Sequence, residues 1–197
     1  MEPTPVRVAS SEDRQPILDL LMLAFDQDPV MRWMFPQARD HVNHFPKFLM
    51  GQGGGGIDAG TAFVAGDYAG AALWLPPGMH SDEAALFAAF GPVIEAGRFP
   101  DAGAFGAGAA AMHPEDDHWY LAFLGVDPNM QGRGIGSAML KHALAIVDAA
   151  PRIAYLETAS EPNVRLYERF GFEVTGEVNV PGAPILWGMT RPAAVSG

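Results

Sequence analysis

The sequence predicts an α/β fold, a mixed sheet flanked by helices. Three observations carry that expectation. The last stretch of about 80 residues reads strand, helix, strand, helix, strand, strand. The helix opening near Ile135 places Met139, Leu140, Ala143, Leu144 and Val147 on one face. The segments on either side of it, "WYLAFLGV" and "IAYLE", are short and apolar, as strands inside a sheet are.

The elements follow in order. "TPVRVAS" alternates as an opening strand does. Ser10 and Asp13 have capping-box spacing, and Ile17, Leu21 and Ala24 form a helical stripe behind them. "DQDPVMRWMF" reads as a short helix with Asp28 as N-cap and Pro29 at its first position. His41 to Met50 is expected to be helical. "GQGGGG" at 51–56 then breaks the chain as a flexible connector, because no capped helix start or neighbouring cation accompanies it. "TAFVAGD" and "AGAALWLPP" are strands joined by a tight turn near Asp67. From about residue 81 to 117 alanine, glycine and phenylalanine dominate, with helical spacing in "DEAALFAAFGPVIEAG"; this predicts a helical insertion between strands. After the strand "WYLAFLGV", the turn "DPNMQ" leads into a glycine loop and the helix already described. "SEPNVRLYERF" is a helix with Ser160 as N-cap, Pro162 in its first turn and Gly171 as its stop. "FEVTGEVNV" and "ILWGMTR" close the chain as a hairpin.

No repeat or linker interrupts the 197 residues, so one domain over 1–197 is expected. No apolar run reaches the roughly 18 residues of a membrane span. "MEPTPVRVASSEDR" has neither a basic leader nor an apolar core, which points to the cytoplasm and away from membranes. There is no cysteine, which excludes disulfides, thiolate metal sites and a cysteine nucleophile. A net charge of −11 has the wrong sign for nucleic-acid binding. An anionic cofactor would have to be held by backbone amides and a few local cations.

"MQGRGIGSAML" supplies those amides. Amides at a helix start have no intrahelical partner, and the helix dipole favours an anion there. Glycine lets a phosphate approach the backbone without a Cβ in the way. Gln131 to Ser137 therefore has the form of a pyrophosphate cradle, with Arg133 as a cation at its rim. Three loop types compete. A P-loop needs Gly-Lys-Ser/Thr, and no lysine separates Gly136 from Ser137. A dinucleotide fingerprint finds Gly132-x-Gly134, with Glu157 about 20 residues on. It lacks its third glycine, however, it is separated from its strand by "DPNMQ", and a single β-α-β unit follows. The third type is a coenzyme A loop: "VDPNMQGRGIGSAML" resembles the pyrophosphate loop of the GNAT superfamily of N-acetyltransferases. Gln131, Gly134 and Gly136 meet that family's Gln/Arg-x-x-Gly-x-Gly/Ala pattern.

The resemblance extends further. "YLETASEPNVRLYERFGFEV" is similar to the second half of the GNAT core. "VNVPGAPILWGMTRP", and "ALWLPPG" followed by a helical insertion, resemble the puromycin N-acetyltransferase branch. The match covers most of Ala71 to Pro192 and is strongest from Trp119 onward; the first 60 or so residues agree only in the order of their elements.

The resemblance implies a mostly antiparallel mixed sheet with a helical insertion before the cofactor-binding strand. It also implies that this strand splays from its neighbour and takes pantetheine in the gap. Leu124, Gly125 and Val126 would then offer backbone groups to pantetheine and the thioester. Gln131, Gly132, Arg133, Gly134, Ile135, Gly136 and Ser137 would hold the pyrophosphate. Asn163 and Tyr167, four residues apart on one helix face, would flank pantetheine, with Tyr167 protonating the departing thiolate. Glu157 ends an apolar strand where open α/β sheets place their crevice, and partial burial would raise its pKa toward that of a general base.

The implied reaction uses acetyl-CoA and no metal, and passes acetyl directly to a primary amine of a small molecule in a ternary complex. A protein or peptide amine, a non-catalytic acyl-CoA-binding module and a dinucleotide oxidoreductase are the alternatives. His113 with His118, and His41 with His44, invite a metal reading, but neither pair has a third ligand set by the pattern. His80, Asp26 and Asp28 are candidates for the acceptor pocket. Trp33, Met34 and Phe35 are either core or pocket wall. Nothing in the pattern bears on oligomeric state.

Overall fold

The computed structural model describes residues 4–150 and 152–194; Met1 to Pro3, part of the stretch with no apparent leader, lie outside the described residues. Its strands are β1 (Val6–Val8), β2 (Ala62–Ala65), β3 (Gly70–Leu75), β4 (Trp119–Val126), β5 (Ala154–Thr158), β6 (Glu173–Val178) and β7 (Leu186–Arg191). They form one sheet in the order β1-β2-β3-β4-β5-β7-β6. Among the described residues β4 and β5 are the one parallel pair; every other neighbouring pair is antiparallel. The expected mixed, mostly antiparallel sheet is the one observed.

The helices are α1 (Arg14–Ala24), α2 (Pro29–Met34), α3 (Ala38–Gly53), α4 (Gly55–Asp58), α5 (Glu83–Phe90), α6 (Phe99–Met112), α7 (Ile135–Ala149) and α8 (Glu161–Glu168). Side chains alternate across the strands and feed two cores. Val64, Leu73 and Phe123 pack on one face with Ile17, Leu21, Phe35, Phe45 and Leu49. Phe63, Trp74 and Leu121 pack on the other with the α7 stripe, whose five predicted residues are all buried. Among the described residues no helix is long and apolar enough to cross a membrane.

Local signals explain several boundaries. Asp28 caps α2 by accepting from the amides of Val30 and Met31, both at 3.0 Å, with Pro29 behind it as expected. Asp13 reaches back to the Ser10 amide at 2.7 Å. It also accepts from Arg7 at 2.7 and 2.8 Å and from the Tyr68 hydroxyl at 2.5 Å. One carboxylate thereby fastens β1, the start of α1 and the turn between β2 and β3. Gly171, at φ +83°, ends the α8 segment as anticipated. Ser160 occupies the N-cap position of α8, but its side chain makes no capping bond; Thr158 Oγ1 accepts from the Ser160 amide instead, at 3.2 Å. The predicted insertion is present as α5, which packs on α3, and α6, which packs on β6 and β7.

The glycine run at 51–56 overturns the connector expectation. α3 continues through Gly53, and α4 starts at Gly55. The glycines are there for close approach. A Cβ on Gly53 would lie 2.9 Å from the Ala122 Cβ and 3.1 Å from the Leu73 Cβ, and one on Gly56 would lie 2.2 Å from the Trp74 carbonyl oxygen. The helix end therefore rests directly on β3 and β4, which any larger residue would prevent.

That contact sits at a break in the ladder. Leu73 pairs with Phe123 and Trp74 with Leu121, which leaves Ala122 as a bulged extra residue in β4. β4 pairs with β5 only from Trp119 to Leu121, opposite Ala154 to Leu156. Beyond that point the two strands part.

Two glycine substitutions separate close packing from mere flexibility. Gly56→Ala is expected to cost about 1–3 kcal/mol by overpacking against β3. Gly103→Ala, in the exposed middle of α6 with open space around it, is expected to gain about 0.5–1 kcal/mol. Urea denaturation of the two variants checks this; equal effects would restore the connector reading.

Candidate active site

The parting of β4 and β5 opens a cleft. Leu121 to Leu124 line one wall; Glu157, Thr158, Asn163 and Tyr167 line the other, with Phe25 and Asp28 at one end. Asp28 has one carboxylate oxygen engaged by the α2 amides, and burial raises its pKa although those amides oppose the shift. Gly125 lies on the parted section of β4. A Cβ there would meet Leu21 of α1 at 2.6 Å, so this glycine lets α1 press on the strand.

Glu157 is the most perturbed carboxyl facing the cleft. Its side chain is 13% exposed. Oε1 accepts from the Tyr155 hydroxyl and Oε2 from the Tyr120 hydroxyl, both at 3.1 Å. Tyr120 in turn accepts from Gln52 Nε2 at 2.6 Å, so the glycine-rich end of α3 also orients this carboxyl. His113, at the end of α6, lies 3.7 Å from Oε1. Burial pushes the Glu157 pKa up to about 7, and the two phenolic hydrogen bonds oppose it without cancelling it. Tyr167 is buried beside Phe172, and burial holds its phenol above the ordinary value. It is therefore a protonated donor throughout the physiological range.

The glycine loop lies at the far end of β4. Asp127 accepts from the Asn129 amide at 2.8 Å and sets a short 3-10 turn, Pro128–Met130. Gln131 Nε2 reaches back to the Val126 carbonyl at 3.4 Å. Gly132 and Gly134 adopt φ +74° and +80°, which only glycine takes readily. Gly136 has no such constraint and lies within the first turn of α7. Among the described residues no backbone carbonyl accepts from the amides of Gly132 to Ser137; the first bond into the helix is from Ala138 to Gly134, at 2.9 Å. Arg133 is exposed at the loop tip. The loop follows directly on Leu124 to Val126, the section of β4 beyond its pairing with β5.

Comparisons with known proteins agree with this geometry. A sequence model of the Acetyltransferase (GNAT) family matches residues 82–172. An uncharacterized N-acetyltransferase of Schizosaccharomyces pombe is 30% identical over 138 residues, which is 59% of this chain and 52% of that protein. The chain thus spans about half the length of this curated relative. A solved structure described as histone acetyltransferase HPA2 and related acetyltransferase, from Corynebacterium glutamicum, superposes with TM-score 0.70 at 28% identity, over 100% of this chain and 99% of that one. Arylalkylamine N-acetyltransferase 2 of Aedes aegypti shares the fold, with TM-score 0.71 at 14% identity over 95% and 98% of the two chains. The chain has the fold of these acetyltransferases, and its residues 82–172 are similar to the GNAT family.

Within this fold the other candidates separate. Asp28 faces the cleft; Asp26 lies outside it, its carboxylate bonded to the Gln27 side chain. His80 is exposed, and its influence falls on His113. Phe35 is fully buried core, whereas Trp33 packs against Phe105 under the guanidinium of Arg98. His41 is buried between Phe35 and Phe45. Gln52, Tyr120 and Tyr155 escaped the sequence reading, and His113 entered it only as half of a metal pair. Glu157, the shared neighbour of Tyr120, Tyr155 and His113, is the signal that could have led to them.

Glu157 should titrate near neutrality. Carboxyl-carbon NMR is expected to give a midpoint near 7, against about 4.3 for a free glutamate. Tyr155→Phe removes a hydrogen bond to the ionised form and should move the midpoint higher still. A midpoint below about 5 in the wild type would show that the site is wetter than its geometry.

Proposed function

We propose that the chain, as one domain, transfers acetyl from acetyl-CoA directly to a primary amine of a small molecule. The observation that carries this reading is the parted β4–β5 pair, with Glu157 and Tyr167 facing one cleft, and a loop of amides without backbone partners following the parted end of β4. The residues suit coenzyme A: the edges of β4 and β5 beyond Leu121 and Leu156 resemble sockets for one more extended strand, which is what pantetheine offers. The amides of Gly132 to Ser137, at the start of a 15-residue helix, suit its pyrophosphate, with Arg133 screened at the rim. Asn163 beside Tyr167 suits an amide of the pantetheine arm.

The cosubstrate supplies an activated thioester carbonyl; the protein manages position and protons. An amine enters as its ammonium ion, and two carboxyls, Glu157 and Asp28, face the space in which it would sit. Glu157, with its pKa near 7, takes one proton. The freed amine attacks the carbonyl carbon, a backbone amide of β4 stabilises the oxyanion, and the C–S bond breaks. Tyr167 donates its hydrogen to the departing sulfur and is reprotonated by the second hydrogen that the new amide nitrogen sheds, so one net proton is left, on Glu157. With no cysteine in the chain, a cysteinyl acetyl intermediate is excluded, and direct transfer in a ternary complex is the reading that remains. That the Aedes aegypti neighbour is an arylalkylamine N-acetyltransferase supports arylalkylamines as the first acceptors to try.

Acetyl-CoA-dependent thiol release with a panel of small amines tests the reading; a panel with no release would remove it. Gly134→Val forces a β-branched residue to φ +80° beneath the bound anion, and acetyl-CoA affinity should fall more than about tenfold. Unchanged binding by a folded variant would place the cosubstrate elsewhere. Tyr167→Phe keeps the ring packing and removes only the hydroxyl. It should lower kcat and kcat/KM together by about a hundredfold, with acetyl-CoA binding nearly unchanged. A rise in KM with kcat intact would make Tyr167 a binding residue instead.

A further inference from the structure

An ammonium ion that ends as an amide while a thioester ends as a thiol releases one net proton per turnover. In the reaction proposed above, Glu157 receives that proton in a nearly closed pocket and must lose it before the next acceptor binds. A line of imidazoles leads away from it. Glu157 Oε1 lies 3.7 Å from His113 Nε2. His113 Nδ1 lies 3.1 Å from His118 Nε2, and His118 Nδ1 lies 2.8 Å from the backbone carbonyl of Asp116. The carbonyl can only accept, so His118 carries its hydrogen on Nδ1 and has a lone pair on Nε2. His113 must then donate from Nδ1, which leaves the lone pair of its Nε2 directed at Glu157. One carbonyl fixes both tautomers.

The His113 ring is held between those of Tyr155, at 4.3 Å, and Tyr120, at 4.8 Å, the two residues that donate to Glu157. His118 belongs to the partly exposed loop between α6 and β4. Building on the acyl-transfer reading, we propose that His113 and His118 are a proton exit that discharges Glu157 to solvent.

The steps balance. Protonated Oε1 gives its hydrogen to His113 Nε2, closing a gap somewhat longer than a hydrogen bond by a small side-chain movement. The Nδ1 hydrogen of His113 passes to His118 Nε2, and that of His118 Nδ1 leaves to water beside the 115–117 acidic loop. One proton enters and one departs. Both rings are left in the opposite tautomer and reset by rotation or exchange with water. The titratable groups around His113 are Glu157, Tyr120 and Tyr155 from the sheet, His118 from the loop and His80 from the segment after β3. Burial, with His118 and His80 adding to it, pushes His113 down to about 4, so it passes a proton on and does not keep it. Both histidines act through Glu157 and not on the substrate.

His113→Phe retains a ring between the tyrosines and removes both nitrogens. With an amine that the wild type acetylates, kcat at pH 7 should fall about tenfold. KM for both substrates should stay within about twofold, and the solvent deuterium isotope effect on kcat should change. Added imidazole should restore the rate in proportion to its concentration. His118→Gln should show the same pattern with a smaller loss. A His113→Phe enzyme that keeps the wild-type rate and pH profile overturns the relay. So does a loss that imidazole does not relieve, or one that appears in KM, because His113 would then only brace the tyrosines. A wild type that releases no thiol with any amine overturns the acyl-transfer reading and the relay together, a different result from an active wild type with fully active variants.

Discussion

The parting of β4 from β5 is the constraint on which the rest of the molecule depends. Each strand is committed to its outer neighbour: β4 pairs with β3 from Tyr120 to Val126, and β5 pairs with β7 from Ala154 to Thr158. Between them only three residue pairs form before the Ala122 bulge turns β4 aside. Two helices hold that bend, the end of α3 through Gly53 at the bulge and α1 through Gly125 beyond it. Neither contact tolerates a side chain, so the cleft is kept open by packing and not by a hinge. An open edge leaves peptide groups without strand partners, and a ligand with strand-like amides would satisfy them at little entropic cost.

Two carboxylates show how surroundings divide structural from chemical work. Asp13 is buried and accepts from the half-exposed Arg7 guanidinium, a backbone amide and the Tyr68 hydroxyl, and its pKa is held well below the usual range. A group so fixed as an anion organises the fold but cannot trade protons near neutrality. Glu157 is buried with only neutral donors, the hydroxyls of Tyr120 and Tyr155. Desolvation then outweighs the hydrogen bonds, and the pKa rises to about 7. The absence of a cation beside it, among the described residues, is what makes Glu157 suited to acid–base work.

Local chemistry was legible in the sequence because its causes are local. β4 runs from Trp119 to Val126 as the apolar pattern predicts, and the α7 stripe is buried residue for residue. The positive φ of Gly132 and Gly134 and the Asp28–Pro29 helix start follow from single-residue preferences. What stayed hidden depends on residues distant in the chain. The glycines at 51–56 suggest freedom until Trp74 and Ala122 are placed against them. Ser160 leaves its expected capping bond unmade, while Thr158 at the end of β5 accepts from the Ser160 amide. "HPEDDH" poses a metal question as a string, whereas in space its two histidines bond to each other and the first turns toward Glu157.

The same division separates the two sides of the cleft. The proposed coenzyme A side is drawn from one continuous stretch, β4 through α8, because anion and pantetheine recognition uses backbone groups that a short motif can set. The proposed acceptor side is assembled from three separate segments: Asp28 at the head of α2, Gln52 near the end of α3 and His113 at the end of α6. All three converge on Glu157 or on the cleft it faces, and none is joined to it by sequence spacing. The insertion therefore has a definite chemical consequence. α6 lies across β6 and β7, and its length sets where His113 emerges between Tyr120 and Tyr155. A relative with the same loop and a shorter insertion would keep the coenzyme A side but lose the imidazole line from its base. Proton handling in such folds can thus diverge while cosubstrate recognition stays constant.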